Sequence, residues 1–140
     1  MGASVFVYWP GITEDQMDDQ PGFFNDCKAW GNWMAEREGH PDVLTRIREL
    51  GLGPILSFRT DGVDDDEVAW ASPDALATAA AQLRELVLAE DARVARIVET
   101  YAMSANQVDP VHEELGRDLA DIVDMMAWAR VQGAARSPST

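Results

Sequence analysis

Five carboxylates stand within seven residues, at Asp61, Asp64, Asp65, Asp66 and Glu67 of the run Asp61-Gly62-Val63-Asp64-Asp65-Asp66-Glu67. Hard divalent cations take carboxylate oxygens as ligands, so cation binding is the first chemistry to weigh there. The spacing disfavours it. An EF-hand loop alternates its ligands around a central glycine and ends on a glutamate at the twelfth place, and this run does not keep that order. A solvated acidic turn fits the pattern better, with a low-affinity divalent ion or a contact with a basic partner as lesser alternatives.

The two histidines, His40 and His112, are the only side chains that ordinarily titrate near neutrality, and no metal-ligand spacing joins them. Cys27 is the sole cysteine. It falls on an apolar stripe with Phe23, Trp30 and Met34, where burial would leave a thiol inert. Neither a nucleophile elbow, nor a phosphate loop, nor a dinucleotide fingerprint occurs. The residues therefore call for no cofactor and no resident metal. An enzyme remains an alternative, as a small carboxylate- or metal-dependent one built near the acidic run, His40 or His112.

Tryptophan is the other notable residue type, with indoles at 9, 30, 33, 70 and 128. Aromatic anchors concentrate at interaction hot spots. Trp30 lies on a buried stripe and Trp70 on a short expected strand. Trp33 and Trp128 fall at or beyond stripe edges and are expected to be exposed anchors. Trp33 with Asp26, Glu36 and Arg37 is one expected interaction patch. Asp61, Asp64, Asp65, Asp66 and Glu67, together with Trp128, complete the expected interaction residues.

These residues must be positioned by local structure that the sequence punctuates clearly. Ser4-Val5-Phe6-Val7-Tyr8-Trp9 is β-branched and aromatic and stops at Pro10-Gly11, which predicts a strand. Ile12 to Gly22 is polar and acidic, an ordered loop or one helical turn carrying Glu14, Asp15, Asp18 and Asp19. Apolar spacing predicts a helix over 23–38 and a second over 41–50, the latter opened by Pro41 and closed by Gly51. Segments 54–60 and 68–71 read as two strands joined by the acidic run as a β-hairpin. Ser72-Pro73-Asp74 opens a further helix by an N-cap and a first-turn proline. Its stripe runs to about Met103, as one helix or as two meeting at Asp91. Asp109-Pro110 repeats the start signal for a final helix ending near Val131.

The order β, α, α, β, β and then helices predicts an α+β fold, with a small sheet of about three antiparallel or mixed strands covered by helices and a helical C-terminal half. A single domain over 1–132 with a flexible tail over 133–140 is expected, because composition does not shift along the chain.

The chain has 140 residues, 46% of them hydrophobic and 26% charged, ordinary values for a globular domain that needs no disulfide. Charge is the distinctive property: 25 Asp and Glu against 11 Lys and Arg leave −14. Nucleic acid and anionic membrane would be repelled, and a basic protein attracted and steered. With no secretory leader pattern and one cysteine, a cytoplasmic protein is expected. The combined expectation is a non-catalytic acidic protein-interaction domain, of which an immunity-type inhibitor of a basic toxin is the concrete example. A homodimeric structural protein is a further alternative.

Overall fold

A computed structural model describes residues 7–20, 28–58, 64–104 and 110–133 of the chain. Among the described residues six α-helices follow in order: α1 Glu14–Asp18, α2 Lys28–Ala35, α3 Pro41–Glu49, α4 Pro73–Leu88, α5 Ala95–Ser104 and α6 Val111–Val131. Short 3₁₀ turns at Arg37–Gly39, Gly53–Leu56, Asp65–Glu67 and Ala92–Val94 punctuate them.

Helices α4 and α6 form the backbone of the fold. The Ser72 hydroxyl accepts the Ala75 N–H at 3.1 Å and Pro73 occupies the first turn, so α4 starts where sequence places its signal. Leu76, Ala79, Ala80, Leu83 and Val87 are its buried face, and Leu115, Leu119, Ile122, Met125 and Ala129 are that of α6. The two helices run antiparallel: Asp74 near the start of α4 meets Arg130 near the end of α6, while Leu88 at the end of α4 lies over Gly116. At that crossing Arg84 Nε donates to the Gly116 carbonyl at 3.1 Å.

The shorter helices close the core around this pair. Trp30, Trp33 and Met34 of α2 are buried, and so are Val43 and Ile47 of α3 and Ile97, Val98 and Tyr101 of α5, in one apolar cluster with the α4 and α6 faces. Two buried polar pairs fasten α5. Trp33 Nε1 donates to Thr100 Oγ1 at 2.8 Å, and the Tyr101 hydroxyl donates to Asp118 Oδ2 at 2.6 Å. On the surface Arg96 joins α5 to α3 by donating to Asp42 at 2.9 Å, and pairs with Glu99 at 2.8 Å.

The expected α+β fold is overturned, because among the described residues there is no strand and the architecture is helical. The physical reason is visible segment by segment. Of the first expected strand, 4–6 lie outside the described residues; at Val7 the Gln20 side-chain amide takes both backbone groups, accepting from the N–H at 3.1 Å and donating to the carbonyl at 2.6 Å. A single amide thus replaces the neighbouring strand. In the second, Pro54 sits in the first turn of a 3₁₀ helix, with Ile55 and Leu56 facing the core. In the third, the Trp70 N–H bonds to Val68 O at 3.1 Å and the Ala71 N–H to Ser57 Oγ at 3.3 Å; residues 59 and 60 of the second lie outside the described residues, and no ladder runs between the described parts of the two segments. The β-branched and aromatic residues here are packing anchors of irregular or 3₁₀ backbone.

The supposed hairpin changes in the same way: 61–63 lie outside the described residues, and Asp65–Glu67 is a 3₁₀ turn in which the Glu67 N–H bonds to Asp64 O at 2.9 Å. Of the helix expected over 23–38, residues 23–27 lie outside the described region and α2 ends at Ala35. The helix over 41–50 stands as α3. Gly51 follows with φ +73°, its N–H bonding to Arg48 O and that of Leu52 to Ile47 O, a left-handed stop that glycine adopts without strain. The stripe over 73–103 resolves into two helices, α4 and α5, parted by residues 89–91 and the 3₁₀ turn Ala92–Val94. The last helix begins at Val111, one residue beyond the expected proline start, with Pro110 still extended at φ −52° and ψ 131°. Of the expected tail, Gly133 is described and 134–140 are not.

Candidate functional site

Residues 7–20 lay a strap across the end of the α4–α6 pair. Pro10-Gly11 makes its bend, with Gly11 at φ +91° and the Ile12 N–H bonding to Trp9 O at 3.1 Å. Thr13 then caps α1 reciprocally with Gln16: the Gln16 N–H donates to Thr13 Oγ1 at 3.1 Å, and the Thr13 N–H to Gln16 Oε1 at 3.0 Å. The same Gln16 donates through Nε2 to the Gln132 carbonyl at 3.2 Å, which docks α1 on the C-terminal end of α6.

Aromatic stacking secures the rest of the strap. Trp9 and Trp128 lie with ring centroids 5.9 Å apart, and Tyr8 and Trp70 5.8 Å apart. All four rings are half-buried. Since Trp70 leads into α4 and Trp128 belongs to the last turns of α6, the two ring pairs lie at the same end of the α4–α6 pair.

Carboxylates belong to the same segments and their neighbours. Glu14, Asp15, Asp18 and Asp19 are exposed on α1 and its C-terminal residue, and Asp64, Asp66 and Glu67 are exposed on the turn just ahead of Trp70. No ion pair among the described residues engages any of these seven. By contrast, Asp42, Asp74 and Asp91 each have an arginine. Hydrogen bonding from Arg96 lowers the Asp42 pKa, and hydrogen bonding from the Arg93 side chain and N–H brings Asp91 down to about 2. Arg130 meets Asp74 at 3.6 Å. The ion pairs of Arg93, Arg96 and Arg130 thus engage carboxylates other than these seven, whose negative charge is not offset by a pair among the described residues.

The residues singled out in the sequence divide between two regions. Asp64, Asp66, Glu67 and Trp128 belong to this end of the molecule, together with Trp9, Trp70 and the α1 acids. Asp26 and Asp61 lie outside the described residues, and for Asp65 the backbone alone is described. The other expected patch is not an aromatic surface. Trp33 is 1% exposed, stacked on Trp30 at 5.2 Å and hydrogen-bonded to Thr100, so it is a core residue rather than an anchor. Glu36 is exposed and accepts from Ser104 Oγ at 3.3 Å, while Arg37 donates to the Met34 carbonyl at 2.6 Å, closing the end of α2. Trp9 and Trp70 were hidden from sequence reasoning because each sits in an apparent strand, where an indole reads as core.

The groups considered for catalysis do not converge. His40 precedes α3 and His112 lies in the first turn of α6, both half-buried, and Cys27 is outside the described residues. Among the described residues no three His, Cys, Asp or Glu side chains are grouped to hold a metal ion, and no helix is long and apolar enough to cross a membrane. Comparison with family models, curated proteins and solved structures found no match for this chain.

Proposed function

We propose that the protein is a non-catalytic acidic interaction domain that captures a basic protein, in the manner of an immunity-type inhibitor. The observation that carries this reading is the juxtaposition at one end of the molecule of the half-buried Tyr8, Trp9, Trp70 and Trp128 rings with seven exposed carboxylates engaged in no ion pair among the described residues. Aromatic rings supply contact area at small entropic cost, and flanking charge of one sign steers and registers an oppositely charged partner. The net charge of −14 gives the same preference at long range.

The test begins with a low-salt pull-down from host lysate against a charge-matched acidic control, and takes the partner released by salt into stopped-flow association. Changing Glu14, Asp15, Asp18 and Asp19 to lysine should slow association about tenfold or more and flatten its salt dependence, with dissociation changed less. Association unaffected by both this set and the matching set at Asp64, Asp66 and Glu67 would refute the reading.

A further inference from the structure

A groove of about 450 Å³ opens between the first turns of α4 and the last turns of α6, lined by Pro73, Ala77, Val123, Met126, Ala127 and Val131, with the Asp74–Arg130 pair at its edge. Its walls are aliphatic, yet Val131 is left 82% exposed, at odds with the burial such a side chain gains elsewhere in the chain. Ala77 of α4 and Ala127 of α6 are small residues in its two walls, which leaves the trough open to an inserted side chain.

The charge around the groove selects its occupant. Exposed Asp74 is among its lining residues, and Arg130, the cation among them, faces it at 3.6 Å. At the far end, Gln132 follows Val131 and holds α1 through Gln16, bringing Glu14, Asp15, Asp18 and Asp19 to that end of the trough. The C-terminal carbonyls of α6 add the negative pole of its dipole there. A second copy of a chain bearing −14 would be repelled from such a rim.

We infer that the α4–α6 groove docks an amphipathic basic helix of the protein partner, with an aliphatic side chain seated between Ala77, Val123 and Ala127 and its cations on the acidic rim. This rests on the reading of the protein as a binder of a basic protein, and adds that the partner presents a helix with one apolar stripe.

The inference is tested on the full ¹⁵N-labelled chain with two synthetic peptides of about 18 residues, one with leucine at i, i+3, i+4 and i+7 and arginine elsewhere, the other with each leucine changed to serine. The leucine peptide should shift the amides of Ala77, Val123, Ala127 and Val131, and the serine peptide those of the acidic segments alone. Val131→Ser, a change at an exposed site, should weaken the leucine peptide about tenfold and leave the serine peptide and the melting temperature unchanged. Equal affinities with shifts confined to α1 and the 64–67 turn would overturn the groove and leave the acidic reading standing. Absence of binding by both peptides at low salt would overturn both. A dimer of the free chain that Val131→Ser dissociates would assign the groove to a second copy and overturn the inference.

Discussion

The indole N–H of Trp33 donates to the Thr100 hydroxyl at 2.8 Å, and that hydroxyl donates in turn to the Ile97 carbonyl at 3.0 Å, in a site where both side chains are buried. A donor that has left water must be met inside, so this pair fixes how α2 sits on α5. Thr100→Val keeps the shape and strands the indole N–H; it should cost about 1–3 kcal/mol in urea unfolding. Adding Trp33→Phe to the Thr100→Val background removes the stranded donor. The double change should therefore cost less than the two single changes summed, by about 1 kcal/mol. Strict additivity would mean that the hydrogen bond does not couple the two helices.

Local signals that are self-contained were legible in the sequence, and those completed by a distant residue were not. Ser72-Pro73 and Pro41 with Gly51 mark α4 and α3 because caps and stops act within one turn. The apparent strands failed for the opposite reason. Val7 is β-branched and apolar, but its backbone is satisfied by Gln20, thirteen positions on, and β-branched residues pack as well against helices as in a sheet. The acids of 14–19 and 64–67 were readable as surface. That Tyr8, Trp9, Trp70 and Trp128 gather beside them depends on the strap docking over α6, which no periodicity encodes.

The break between α4 and α5 shows the same limit and yields a prediction. Glu90 adopts φ +53°, while its N–H bonds to Val87 O and that of Asp91 to Leu86 O. This is the left-handed helix stop that glycine makes at Gly51, here imposed on a residue with a Cβ. Glu90→Gly should relieve that strain and stabilise the fold by up to about 1 kcal/mol, despite the added freedom of the unfolded chain. Glu90→Val should lower the melting temperature, since a β-branched residue tolerates that conformation least. Thermal unfolding of the two variants, with opposite signs expected, checks the geometry of the break.

Gly116 tests how tightly α4 and α6 meet. A Cβ there would lie 3.1 Å from Leu88 Cδ2, tighter than ordinary contact, but Leu88 ends α4 and is 46% exposed, so its side chain has room to turn aside. Mid-helix glycine costs up to about 1 kcal/mol relative to alanine. Gly116→Ala should consequently be neutral to slightly stabilising, while Gly116→Val should destabilise by forcing the helices apart. The Arg84 bond uses the backbone carbonyl and should survive the alanine change. Loss of stability in Gly116→Ala would show that Leu88 is held in place.

Asp91 links the same break to pH. Its carboxylate accepts from the Arg93 N–H at 2.9 Å and from the Arg93 guanidinium at 3.0 and 2.9 Å, and these bonds lower its pKa from 3.8 to about 2. A carboxyl whose folded pKa lies below its unfolded value binds protons more readily when unfolded. Its stabilising contribution is therefore complete above about pH 4 and disappears as pH falls toward 2. The pair is solvent-exposed, so the effect should be modest and weaken with salt. Asp91→Asn keeps an oxygen for the Arg93 N–H but loses the charge. The wild-type protein should melt higher than this variant at pH 5, and the two curves should converge between pH 4 and pH 2. A constant difference across that window would place the Asp91 contribution in the neutral cap rather than in its charge.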